Sequence, residues 1–137
     1  MTYKRLVTVA RNARKKSFSP YSNFRVGAAL LTKSGKVFSG CNIENSSFGL
    51  TICAERTAIF KAVSEGYTQF AAIAIATDEN EYIAPCGACR QVLMDLAGDI
   101  DVVMSTDRGN YKLAKVSELL PFPFGMDNLR KRKTGKA

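Results

Sequence analysis

The sequence predicts an α/β fold, a three-layer α-β-α sandwich around a mixed five-stranded sheet. Three observations carry that expectation. The 137 residues suit one domain spanning 1–137. Helical and strand patterns alternate along the chain, and two helices follow strands closely. Ala71–Thr77 is a continuous apolar run of strand length, as a central strand covered on both faces requires.

The elements follow in order. Residues 2–16 place Tyr3, Leu6, Val7, Ala10 and Ala13 at helical spacing with basic residues between them, which predicts an amphipathic helix. Ser17–Asn23 holds a Ser-Pro pair and two further serines and reads as a loop. Phe24–Thr32 and Val37–Cys41 read as strands joined by a turn at Lys33–Lys36. Asn42–Ile52 is polar and irregular, a loop over the site. Ala54–Ser64 reads as a helix ended by Gly66, and Cys86–Leu96 as a helix closed by Gly98. Asp101–Ser105 and Tyr111–Ala114 complete the strands around a turn at Arg108–Asn110. Val116–Leu120 is a short helix stopped by Pro121, and the tail after Phe124 has weak helical character.

Composition narrows the function classes. The chain shows no apolar run of membrane-spanning length and no secretory signal at its N-terminus, so a cytoplasmic, reducing environment is expected. In that setting a C-x-x-C pair plus another Cys reads as metal, not disulfide. The net charge is +8. Its location matters more than its size. Residues 1–16 carry six bases and no acid, residues 127–137 net +4, and the stretch between them net −2. The body of the chain is nearly neutral, so the charge does not describe a basic groove across it. Basic ends are ordinarily a solvated helix face and a frayed tail; nonspecific nucleic-acid contact is at most an addition to the main function.

The chemistry is concentrated in Cys53-Ala54-Glu55 and Pro85-Cys86-Gly87-Ala88-Cys89. Three thiolates on zinc leave a fourth position for water, the arrangement of a catalytic site; four protein ligands would close it. Cys53 and Cys86 stand at predicted helix starts, where free N–H groups and the helix dipole favour the thiolate. The i, i+3 spacing puts Cys86 and Cys89 on one side of a first turn. Three thiolates on Zn²⁺ carry −1, which opposes ionisation of a bound water, so a compensating cation is needed. Arg56 is the first candidate for hydrogen-bonding the thiolates and Arg90 the second. Glu55, two residues after Cys53, can face the open position and shuttle protons. Standing alone, it would read as an acid favoured in a first helical turn. Cys41 is the remaining soft residue that would close a structural site, since the chain has no His. It lies in an apolar strand stretch, where a free Cys is usually core packing. The absence of His also excludes Cys-His and Ser-His-Asp nucleophilic sites.

Beyond the two motifs, SPYSNFRVGAALL, GCNIENSSFGLTICAERTAIFKAVSEG, PCGACRQVL and SELLP together resemble the short, homotetrameric cytidine deaminases over nearly the whole chain. The resemblance implies zinc, one per subunit, on Cys53, Cys86 and Cys89, with Glu55 as acid and base. It implies Asn42 and Glu44 on the ribose hydroxyls, Phe24 stacked on the pyrimidine, and the Ala54 carbonyl reading the 4-amino group. It implies Phe124 reaching a neighbouring subunit's site, with sites at subunit interfaces. Cys53 as first ligand, where polynucleotide and deoxycytidylate deaminases use His, points to free nucleosides. The implied reaction is hydrolytic deamination of cytidine and 2′-deoxycytidine to the uridines in pyrimidine salvage, with no membrane or nucleic-acid partner. The alternative is a deaminase of another aminopyrimidine such as blasticidin S, whose lack of an ordinary ribose leaves Asn42 and Glu44 without a task.

Overall fold

The computed structural model describes residues 1–133, with side chains as far as Leu129. The basic side chains from Arg130 onward, and the expectation attached to them, lie outside the described residues. Five strands form the sheet: β1 (Val26–Thr32), β2 (Val37–Cys41), β3 (Phe70–Thr77), β4 (Asp101–Ser105) and β5 (Tyr111–Lys115). Their order is β2-β1-β3-β4-β5. β3 pairs parallel with β4, and the other neighbours are antiparallel, so the sheet is mixed as expected. The apolar run expected to be central is β3, buried along almost its whole length.

Side-chain alternation divides the sheet into two faces. Ala29, Leu31, Ala72, Ala74 and Ala76 point one way and meet Leu6, Val7 and Ala10 of helix α1 (Tyr3–Ala13). Ala28, Leu30, Ile73, Ile75 and Val102 point the other way and meet Ala58, Ile59 and Leu93 of α2 (Ala54–Ser64) and α3 (Gly87–Ala97). The three layers follow from that division. Two short helices finish the described chain, α4 (Val116–Leu119) and α5 (Met126–Lys133).

Two glycines set how closely the layers approach. A Cβ on Gly27 would stand 2.0 Å from the Ala10 carbonyl oxygen, so only glycine lets the end of α1 rest on β1. A Cβ on Gly40 would stand 2.6 Å from Ala54 O and 2.6 Å from Ala58 N. Gly40 therefore fixes the depth at which the first turn of α2 sits against β2.

Several boundaries differ from the sequence expectation. α1 stops at Ala13 and continues as a tight 3₁₀ turn, Arg14–Lys16. Arg14 ties that turn to the end of β3 with a 2.6 Å bond to the Thr77 carbonyl. β1 begins at Val26 and not at Phe24. There the Asn42 side chain takes over from a strand partner, accepting from Val26 N at 2.9 Å and donating to the Phe24 carbonyl at 2.7 Å. Cys86 caps α3 from outside the helix, in extended conformation.

Candidate active site

The side chains that could hold a metal are delivered by two helix starts. Cys53 is the N-cap of α2, Cys86 the N-cap of α3, and Cys89 lies in the first turn of α3. Neither cap uses its side chain to satisfy the helix, so both sulfurs are left for other work. The three Sγ atoms lie within 4.8 Å of one another. Cys53 Sγ is 3.7 Å from Cys86 Sγ, which is 3.6 Å from Cys89 Sγ. Two sulfurs bonded to one tetrahedral zinc at 2.3 Å would stand about 3.8 Å apart. The donor set and its spacing therefore fit zinc. Without a cation the cluster cannot ionise three times. The hydrogen bond from Cys89 holds the Cys53 thiol well below its usual range, assisted by Arg56 against the cost of burial. The same bond, with burial and neighbouring negative charge, drives the Cys89 thiol up. Metal binding must expel that proton.

Arg56 Nη2 lies 3.4 Å from Cys53 Sγ. That contact holds the guanidinium charged. Arg90, the second compensating candidate, is occupied elsewhere. It donates to the Pro85 carbonyl at 2.7 Å and the Leu119 carbonyl at 2.8 Å, bracing the loop that enters α3. Glu55, in the first turn of α2, is almost wholly buried. Burial pushes its carboxyl up to about 7, with the nearby Cys53 thiolate adding to the rise. A carboxyl poised there can both take and return a proton near neutral pH.

A cavity of about 250 Å³ opens over these groups, bounded by Phe24, Asn42, Cys53, Ala54, Glu55 and Cys86. Val26, Thr51, Ile52, Ile75, Ile83 and Ala84 complete its wall. The sequence reading missed this apolar lining. The available signal was adjacency, because Ile52 and Ala84 flank the two cysteine motifs directly.

Other candidate residues fall differently. Asn42 Oδ1 accepts from Ser17 Oγ and Val26 N, and Nδ2 donates to Phe24 O, which leaves one amide N–H uncommitted. Glu44 accepts from Tyr21 N at 2.9 Å, from Ser22 N at 3.1 Å and from Ser22 Oγ. The Ser22 hydroxyl, first among these, keeps the carboxyl below its ordinary range. Glu44 lines an adjoining depression of about 390 Å³ with Tyr21, Ser22, Phe48 and Thr51, not the cavity over the thiols. The Ala54 carbonyl is the group expected to read the 4-amino group of the base. That oxygen lies against Gly40 and Ala58 N, on the sheet side of the helix. The group that a helix start leaves without an intrahelical partner is the Ala54 N–H. Phe124 is 60% exposed and borders neither of these two cavities; its carbonyl accepts from Gln91 Nε2 at 2.9 Å. Cys41 is half-buried, not core, and is separate from the thiol cluster, so it does not close the site.

Comparison with known proteins agrees with this geometry. A family model of the cytidine and deoxycytidylate deaminase zinc-binding region matches residues 1–106. The chain belongs to the cytidine and deoxycytidylate deaminase family. It is thus a hydrolytic deaminase, and its cofactor is zinc. It is 50% identical over 125 residues to a probable cytidine deaminase of Dictyostelium discoideum, covering 90% of this chain and 84% of that one. The crystal structure of cytidine deaminase from Burkholderia pseudomallei superposes with a TM-score of 0.88 at 50% identity, over 90% of this chain and all (100%) of the other. Blasticidin-S deaminase of Bacillus cereus is further away, 37% identical over 109 residues that cover 72% of this chain and 76% of the relative.

Proposed function

We infer that this deaminase converts cytidine and 2′-deoxycytidine to uridine and 2′-deoxyuridine, serving pyrimidine salvage in the cytoplasm. The observation that carries the reading is the meeting of three sulfurs and one buried carboxyl in a single small cavity. Cytidine deaminases among its relatives support the substrate class.

Cys53, Cys86 and Cys89 would hold the zinc. When bound, it supplies the Lewis acidity that makes water a usable nucleophile near neutral pH. Glu55 takes a proton from the attacking water and delivers it to ring N3. It then passes a proton to the departing amine, so the C4–N bond breaks, ammonia leaves and the oxygen stays on C4. Burial suits Glu55 to this exchange, since its proton affinity sits near 7. Arg56 offsets the charge of the thiolates through Cys53. Phe24 provides an aromatic wall for the base, and the Ala54 N–H is the backbone group available to it. The uncommitted N–H of Asn42 and the ionised Glu44 are suited to ribose hydroxyls.

The 137 residues act as one catalytic unit, and the working assembly is a homotetramer with sites at subunit interfaces. Exposed Phe124, which borders neither the cavity over the thiols nor the depression beside it, supports that assembly. Among the described residues no helix is long and apolar enough to cross a membrane.

Turnover of cytidine, 2′-deoxycytidine, deoxycytidylate and blasticidin S should be compared on the same zinc-loaded preparation. Both nucleosides are expected to react fastest. Preferential turnover of blasticidin S would assign the site to the other aminopyrimidine class, and preferential turnover of deoxycytidylate would contradict the nucleoside reading.

A further inference from the structure

A second cavity, of about 340 Å³, is bordered by residues of α1, α2 and edge strand β2 and by none of the three clustered cysteines. Its volume is in the range of small-molecule sites. Lys16 and Lys61 both border it, and no carboxylate does. Neither lysine makes an ion pair among the described residues. Lys61 Nζ donates to the Ser39 carbonyl, which uses one of its three N–H groups and holds the ammonium at the cavity mouth. Asn12, Ser39 and Thr57 add polar groups, while Val9 and Ala13 form an apolar strip on the α1 side. Two uncompensated cations facing one concave space, with an apolar wall beside them, match a phosphate joined to a flat organic body. They do not match an uncharged nucleoside. The deaminase reaction gives these residues no role.

We propose that this cavity binds a nucleoside monophosphate, its phosphate between Lys16 and Lys61 and its base along Val9 and Ala13. The site also adjoins the catalytic helix. Thr57 borders the cavity and donates to the Cys53 carbonyl at 3.2 Å, and Gly40 borders it while seating the first turn of α2. The binding itself does not depend on which nucleoside the enzyme deaminates.

Zinc-loaded protein is titrated calorimetrically with adenosine monophosphate, and in a parallel arm with inorganic phosphate. Lys16→Ala/Lys61→Ala is run beside the parent; both side chains are on the surface, so the fold is retained. Saturable adenosine monophosphate binding, weakened about tenfold or more in the double variant, is expected, since a hydrogen bond to a charged group typically contributes that much. Cys41 provides an independent locator because its side chain lines the same cavity. Peptide mapping should show slower alkylation of Cys41 at saturating adenosine monophosphate. No saturable binding, binding unchanged in the double variant, or Cys41 alkylation at an unaltered rate would each overturn the proposal. Inorganic phosphate binding as tightly as adenosine monophosphate would overturn the nucleotide assignment.

Discussion

Glu55 is the residue on which most depends, because one side chain must be both buried and ionisable. Replacing it with Gln keeps the shape and removes the proton transfer proposed for it. Glu55→Gln is expected to retain zinc and lose about 10²–10⁴-fold in kcat, which metal analysis and steady-state kinetics would check together. Burial also makes the carboxyl a pH-dependent cost to folding. Its proton affinity rises from 4.5 to about 7 on folding, so the native state holds one more proton than the unfolded chain between those values. The contribution of Glu55 to stability is therefore full below about pH 4.5, falls as pH rises and levels off above about 7. In zinc-stripped protein, Glu55→Gln should be more stable than the parent at pH 8 by up to about 3 kcal/mol and nearly equal at pH 4. Urea unfolding at the two pH values measures this, and a parent that gains stability toward pH 8 relative to the variant would reverse the sign. The role proposed for Arg56 runs through sulfur. Removing its 3.4 Å contact lets the Cys53 thiol hold its proton more tightly. Arg56→Ala is expected to weaken zinc binding about 10–100-fold and to shift its pH dependence upward in a chelator-competition assay. Unchanged zinc affinity would remove Arg56 from that role.

At the scale of elements, the site is a consequence of where two helices begin. Gly40 sets the position of α2, and any side chain there meets backbone atoms that cannot swing aside. Gly40→Ala should push α2 off β2, costing about 1–3 kcal/mol of stability and lowering turnover, as thermal unfolding and kinetics would show. These elements were largely legible in the sequence because they rest on local signals: period 3.6 in α1, an unbroken apolar run in β3, and cysteine motifs at the starts of α2 and α3. What the sequence could not show depends on distant partners. β1 starts late because Asn42, from the far end of β2, bonds Val26 and Phe24. Arg90 reads as a second companion to the thiolates from its position, yet the carbonyls of Pro85 and Leu119 claim it. The spacing Cys-Ala-Glu brings Ala54 to the cavity but does not say which of its backbone groups faces inward. Orientation on the helix decides that.

The whole molecule divides its charge and its apolar surface in different ways. Basic residues cluster at the ends of the sequence, whereas exposed aromatics gather around the site and on the C-terminal segment. Phe18, Tyr21, Phe48, Phe122 and Phe124 are each more than half exposed. If Phe124 completes a neighbouring site, Phe124→Ala should raise KM for cytidine about tenfold without loss of zinc, and sedimentation should show an active oligomer. An active monomer would contradict the assembly. Purified protein is stripped of metal, titrated with zinc, and assayed for cytidine turnover by ultraviolet absorbance at each step. Turnover is expected to rise linearly with zinc and to reach its plateau at one zinc per chain. No turnover at full occupancy, or turnover undiminished in the stripped protein, would contradict the account.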